Sequence, residues 1–386
     1  MNIHLVTGST GFVGRYLVNN LLKKGETVWV VIRPLHEMSA TQRALATFPK
    51  ILKQYPNSFK VIEGDIISKD LGLADADIGS LLQHDVVLWH LAANLSFSAK
   101  DRSAALQTNI RGTRNVVDFA NRIAARYMHM STAYVCGDSK VFKETDLDIG
   151  QKFRNHYEES KFEGEKYVRG HCTVPYVVFR PSIIIGDAYR GKAEGCTFGY
   201  YRYMFMFHFF KQQVLTALRA NNFIVRKIGT RYNAHDDTVQ MPWLIIPYPK
   251  HGRVNMVTID YVVDSMIHMY EEKVSGITLN LTHPQPPTFR FILHSVLQDL
   301  GFRDMKMIPV SSWIFRFVVY AFYIVGVPIR KYARSVIWYI PYVTEQCTFE
   351  RANTQKYLGN PPEISRDVAS RINTYAKEHI LDHITV

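Results

Sequence analysis

Along the first half of the chain, short apolar runs alternate with segments whose apolar residues recur at helical spacing. Residues 3–7 (IHLVT), 28–32 (VWVVI), 59–63 (FKVIE), 86–91 (VVLWHL), 127–131 and 176–179 are rich in β-branched and aromatic side chains and read as strands. Residues 11–24, 104–125 and 157–170 carry the period of helices. Strands that are apolar on both faces and separated by helices predict a parallel sheet covered on both sides. The expected fold class is therefore α/β, a doubly wound parallel sheet with a smaller C-terminal substrate-binding region.

After Gly186 the texture changes. Residues 198–226 crowd aromatics, methionines and basic residues together, and strand-and-helix patterning returns only at 254–269. This predicts a nucleotide-binding domain over 1–186 and a second region over 187–386, with 254–270 returning to the first core. Nearly every face of 198–210 is apolar, so it suits either a core position or one facing substrate or lipid. Residues 313–329, followed by Arg330, Lys331 and Arg334, read equally as a buried C-terminal helix and as a peripheral membrane contact with its basic end at phospholipid headgroups. The unbroken apolar run 317–327 is shorter than the ~20 residues a membrane span needs.

Of the 386 residues 47% are hydrophobic and 21% charged, which admits a large core and excludes a disordered or collagen-like chain. Lys and Arg number 46 against 34 Asp and Glu, a net +12. Ten basic residues face four acidic ones in 187–253, so half of that excess sits there. Such a balance suits phosphorylated or acidic ligands, and no nucleic-acid-binding module accompanies it. Cys136, Cys172, Cys196 and Cys347 show neither a CxxC pair nor zinc-ligand spacing, so reduced thiols and no metal site are expected. The start, MNIHLVTGSTG, lacks the basic and apolar regions of a signal peptide, and a cytoplasmic location is the expectation.

Three constellations carry candidate chemistry. In TGSTGFVG (7–14), Gly8, Gly11 and Gly14 stand between a predicted strand and a predicted helix, where glycines let the backbone approach a pyrophosphate held on helix N-terminal amides. The second strand ends in Arg33 rather than the acid that usually takes ribose hydroxyls, so NADPH is expected over NADH, with Arg43 as a second cation or a solvated helix residue. Asp65, after the third strand, suits the adenine amino group or a cap of its own turn. Finally, Tyr157 and Lys161 are four apart and share a helix face, where an ammonium favours the phenolate. Ser131 and Thr132 offer hydroxyls at a strand end.

With HLAAN (90–94), NIRGT (109–113), STAYV (131–135) and FRPSIIIGD (179–187), these motifs resemble the extended short-chain dehydrogenase/reductase superfamily over residues 1–270. The stretch from GDIISKD to HLAA is similar to the thioester reductase and fatty acyl-CoA reductase branch. The resemblance implies a Rossmann fold, with Thr132 as the triad hydroxyl and Ser131 as the alternative, Tyr157 as acid/base, and Lys161 on the nicotinamide ribose. It implies cofactor contacts from Gly8, Ser9, Thr10, Gly11, Phe12, Val13, Gly14, Arg33, Arg43, Asp65, Ile66, Ala92, Ala93, Asn109, Lys161, Pro181 and Ile183. The implied activity is NADPH-dependent reduction of a fatty acyl thioester either to the aldehyde or onward to the alcohol, with acyl-CoA or an acyl carrier protein in trans. Neither an adenylation nor a carrier domain is present, and 198–226 and the C-terminal apolar run match no family motif. A steroid-like ketone or alcohol as substrate, and an NADPH-sensing regulator without catalysis, are the rival readings.

Overall fold

The computed structural model describes residues 2–324 and 337–384. The chain divides into two compact units. The first comprises residues 1–182, 259–282 and 347–361, and the second 183–258, 283–346 and 362–386.

The first unit is built on strands β1 (Asn2–Thr7), β2 (Thr27–Ile32), β3 (Phe59–Glu63), β4 (Asp85–His90), β5 (Arg126–Met130) and β6 (Tyr176–Pro181). A seventh strand, Ile277–Leu281, pairs with β6. All pairings are parallel, and from that seventh strand the order across the sheet is β6, β5, β4, β1, β2, β3. Helices α1 (Phe12–Lys23), α2 (Ala40–Thr47), α3 (Thr113–Arg122) and α4 (His156–His171) connect the strands. Chain direction across the sheet reverses between β1 and β4, which leaves a crevice at their carboxyl ends where ligands of such sheets bind. Leu5, Leu88, Tyr127 and Val178 are fully buried in the core that the helices close. The Rossmann-type fold class expected from the pattern is the one observed.

Two departures from the expected elements matter for the site. The single helix expected over 104–125 is interrupted by a turn of π-helix, Gln107–Gly112, before α3. Residues 347–361, expected in the C-terminal region, belong to the first unit. There Thr348–Phe349 pairs with Val141–Phe142, and the buried Glu144 carboxylate accepts from the Asn280 amide (2.9 Å) and the Thr354 hydroxyl (2.6 Å).

In the second unit the aromatic segment forms a helix, Tyr200–Arg219, with Tyr200, Tyr201, Met204, Val214 and Leu215 buried. Its Phe210 ring stacks on Phe302 and its Tyr203 ring is tilted against Phe289, while Tyr203, Phe205, Phe207, Phe209 and Phe210 are half-buried. Among the described residues no helix is long and apolar enough to cross a membrane. Residues 325–336 of the C-terminal apolar and basic run lie outside the described residues.

Candidate functional site

The turn after β1 is held in a shape that only glycines permit. Gly8 has φ +75°, and a Cβ there would stand 2.5 Å from the Ala92 amide nitrogen. A Cβ on Gly14 would fall 2.6 Å from Ser9 Cα, so α1 lies hard against the turn. Gly11 caps α1 without a side-chain hydrogen bond, leaving the first-turn amides at Phe12, Val13 and Gly14 without a side-chain acceptor. The buried Ser9 hydroxyl also has no partner. A glycine cradle, a helix N-terminus and an orphan hydroxyl fit a dinucleotide pyrophosphate.

Beside this turn two cations converge. Arg43, on α2, donates from Nη1 to the Arg33 carbonyl (2.5 Å) and lies 3.5 Å from Thr10 Oγ1. Burial, and then the Arg33 charge, pull the Arg43 guanidinium below its ordinary pKa. Asp65 Oδ2 lies 3.9 Å from Arg33, while Asp65 Oδ1 accepts from the Ile67 amide (3.2 Å) and closes its own turn. Ile66 is buried beneath Gly112.

At the far side of the crevice, Asn109 fixes the segment after β4. Its Oδ1 accepts from the Asn94 amide (2.8 Å), and its Nδ2 donates to the Asn94 carbonyl (3.0 Å) and to Ser160 Oγ (2.9 Å). The half-buried Ala92 and Ala93 are held in that segment. Tyr157 occupies the first turn of α4, which Asn155 caps, and its ring lies 5.7 Å from that of Phe97. Lys161, one turn on, is 3% exposed and donates to the carbonyl of Met130, the last residue of β5, at 2.6 Å. Burial pulls the Lys161 ammonium down to about 8, and the nearby Glu165 carboxylate offsets part of the fall. Thr132 Oγ1 accepts from the Tyr134 amide (3.3 Å) and lies 3.5 Å from the Pro181 carbonyl that ends β6. Ile183 opens the second unit, paired with Met256.

A model of the family described as Male sterility protein, an NAD-binding family, matches residues 6–266. The chain belongs to that family. Nonribosomal peptide synthetase asaC of Aspergillus flavus is 26% identical over 331 residues, 80% of this chain and 29% of that protein. Fatty acyl-CoA reductase 2 of Bos taurus is 27% identical over 143 residues, 34% of this chain and 28% of that protein. The chain thus spans less than a third of the length of these relatives. The terminal R domain of the myxalamid PKS-NRPS biosynthetic pathway superposes with TM-score 0.70 at 16% identity, over 98% of this chain and 91% of that one, and so shares the fold. The resemblance to the extended short-chain dehydrogenase/reductase superfamily, in its thioester reductase and fatty acyl-CoA reductase branch, holds.

Within this male sterility family site, four residues that the sequence reading passed over surround Lys161. Glu165, fully buried one turn beyond it, accepts from Ser131 Oγ (2.6 Å), Arg180 Nη2 (2.7 Å) and Arg169 Nε (3.0 Å). Burial acts to raise the Glu165 pKa, yet the Arg180 and Arg169 cations outweigh it and hold the carboxyl below its ordinary value. His90 bridges Thr7 Oγ1 (2.8 Å) and Thr113 Oγ1 (3.1 Å) on its two ring nitrogens. Its pKa is pushed down to about 3, by burial and then by the Lys161 charge. A signal for Glu165 was present in the four-residue spacing Tyr157, Lys161, Glu165, Arg169. Arg180 stood in the FRPSIIIGD motif, but no spacing along the chain tied it to Glu165.

Proposed function

We propose that this chain reduces an acyl thioester, carried on CoA or on a carrier protein acting in trans, to the aldehyde with NADPH. The observation that carries the reading is the bond from Lys161 to the Met130 carbonyl, which fastens the Tyr157 helix to the strand end bearing Thr132 in a chain of the male sterility family. Relatives named as a fatty acyl-CoA reductase and as a nonribosomal peptide synthetase support the thioester, and those named as a dihydroflavonol 4-reductase and a 3 beta-hydroxysteroid dehydrogenase make a ketone the substrate to test against it. The preference for NADPH over NADH rests on Arg43, which reaches Thr10, and on the Arg33 charge that acts on it, since a 2′-phosphate would relieve the repulsion between the two cations.

Gly8, Gly11 and Gly14 with the first-turn amides of α1 hold the pyrophosphate, Arg33 and Arg43 the 2′-phosphate, and Lys161 the nicotinamide ribose. Bound there, the dinucleotide supplies a hydride to the thioester carbonyl carbon. Thr132 and Tyr157 donate hydrogen bonds to the carbonyl oxygen, where negative charge develops and such donors act most strongly. Tyr157 passes its proton to that oxygen. Lys161, cationic below pH about 8, favours the phenolate left behind. The resulting hemithioacetal expels the thiol and leaves the aldehyde, and a second round on the aldehyde carbonyl gives the alcohol. Purified protein with NADPH and a panel of acyl-CoA, acyl-carrier and ketone substrates, followed by cofactor oxidation and product identification, tests this. Turnover of neutral ketones without thioester reduction sinks it. Tyr157→Phe keeps the ring and removes the donor, so turnover should fall ~10²–10⁴-fold with NADPH affinity retained.

A further inference from the structure

Two of the four cysteines meet within the first unit, in a place that the proposed reaction does not use. Cys136 ends the short 3₁₀ turn Ala133–Cys136, which Thr132 caps. It is 1% exposed and packs in a small apolar cluster with Val135, Phe142 and Phe162. Cys347 is half-buried and lies against the same cluster, beside Phe349. It opens segment 347–361, the part of the C-terminal sequence that belongs to this unit. Backbone bonds fix both sides of the meeting. The Ser139 hydroxyl donates to the Cys136 carbonyl (2.6 Å), and the amides of Thr348 and Glu350 donate to the carbonyls of Lys140 (2.8 Å) and Phe142 (2.9 Å). Residues 136–142 and 347–350 are thereby joined into one piece.

The two thiols differ in character. A hydrogen bond from the Cys136 thiol does most to hold the Cys347 thiol below its ordinary pKa, against burial, and the Ser139 hydroxyl and the Arg154 and Lys140 charges act the same way. That bond, and then burial, push the Cys136 thiol well up. Cys172 and Cys196 meet no such influence, and burial raises them to about 11 and about 12. Cys347 therefore has the accessibility and thiolate character of an attacking thiol. Cys136, buried against it, is placed to resolve what Cys347 forms.

We infer that Cys136 and Cys347 close into a reversible disulfide, with a low-molecular-weight disulfide such as glutathione disulfide as the oxidant, and that this bond locks segment 347–361 to the turn following Thr132. The Cys347 thiolate attacks one sulfur of the oxidant, forming a mixed disulfide and releasing one thiolate. The Cys136 thiol gives its proton to solvent and attacks the Cys347 sulfur, which forms the internal bond and releases the second thiolate. The chain loses two hydrogens and two electrons, and the oxidant is reduced to two thiols. A bond between positions so far apart in sequence constrains the unfolded chain over a long loop, so the oxidised protein is the more stable form. The inference is independent of the reaction assigned above.

The test equilibrates the full chain in glutathione buffers from reducing to oxidising, quenches with acid, alkylates the remaining thiols and maps peptides by mass spectrometry without reductant. A linked Cys136–Cys347 peptide is expected to appear as the buffer becomes oxidising and to vanish on return to excess reduced glutathione, while Cys172 and Cys196 stay alkylated. In Cys136→Ser a glutathione adduct should persist on Cys347, and in Cys347→Ser, at a half-buried position that tolerates the change, no disulfide should form at Cys136. Oxidised wild type should melt at a higher temperature than reduced wild type, and Cys347→Ser should show no such difference. Absence of the linked peptide from wild type at every glutathione ratio overturns the inference, as does equal linkage to Cys172 or Cys196. An oxidised wild type that melts no higher than the reduced form overturns the lock.

Discussion

Ser131 and Thr132 differ by one position, and the motif alone left both as the hydroxyl of the site. The structure separates them by what each touches. Ser131 donates to the buried Glu165 carboxylate at 2.6 Å, whereas Thr132 Oγ1 donates to the Pro181 carbonyl at a long 3.5 Å, a weak bond that a substrate oxygen can displace. Glu165→Gln leaves Arg169, Arg180 and Lys161 around a neutral amide, and breaking such a buried pair costs roughly 3–5 kcal/mol. Ser131→Ala removes one hydrogen bond and should cost about 1–3 kcal/mol, so paired denaturant titrations of the two variants should rank them in that order. The same carboxylate raises the Lys161 pKa against burial, which sets it at about 8. Activity should therefore decline as pH rises through about 8, and in Glu165→Gln the decline should begin at lower pH. An unmoved pH profile would confine Glu165 to a role in stability. At the cofactor end, Arg33→Asp places a carboxylate where the 2′-phosphate is proposed to lie. NADPH affinity should fall roughly 10- to 150-fold, the worth of one charge-assisted contact, while NADH binding gains; calorimetry with both cofactors decides.

At the scale of elements, the sheet was legible because its strands are apolar on both faces, and β3 at Phe59–Glu63 begins and ends where the pattern placed it. Helix α4 was legible through the period that aligns Tyr157 with Lys161. The π-turn at Gln107–Gly112 was not. Asn109 is committed to Asn94 and Ser160, 15 and 51 residues away, and Gly112 admits the Ile66 side chain, so no local propensity encodes the break. The seventh strand, Ile277–Leu281, was also missed, because it carries the polar Asn280 in its interior. Its Nδ2 donates to the Glu350 carbonyl at 2.7 Å, a partner 70 residues on. The glycine turn yields the sharpest test at this scale. A methyl group at Gly14 meets backbone atoms of Gly8 and Ser9, which have no rotamer to escape into. Gly14→Ala should destabilise the protein by about 1–3 kcal/mol through overpacking, and it should abolish the increase in thermal midpoint that wild type shows with NADPH. A variant still stabilised by NADPH would show that α1 can retreat from the turn.

Across the whole molecule, three histidines lie buried in neighbouring strands of the sheet: His4 in β1, His90 in β4 and His129 in β5. Burial lowers the pKa of each, with Lys161 adding to the effect at His90 and His129, and Glu26 opposing it at His4. In the unfolded chain each titrates near 6.5. The unfolded state therefore binds more protons than the folded state between pH 6.5 and the depressed folded values, and stability must fall as pH falls through that window. His90, at about 3, contributes about 2 kcal/mol of loss between pH 6.5 and 5. Lys161 tilts the curve the same way on the alkaline side. Its folded value of about 8 lies below its free value, so its burial penalty is relieved as pH rises above 8. Protonating the 15 histidines also adds self-repulsion to a chain already at +12, but salt screens that contribution and leaves the cost of charging a buried ring. Urea midpoints measured at pH 7 and pH 5 in high salt should thus still fall on acidification. In His90→Gln, which keeps a donor and an acceptor for Thr7 and Thr113, the fall should shrink by about 2 kcal/mol. Equal acid sensitivity in the variant would mean that His90 takes its proton while the sheet stays folded.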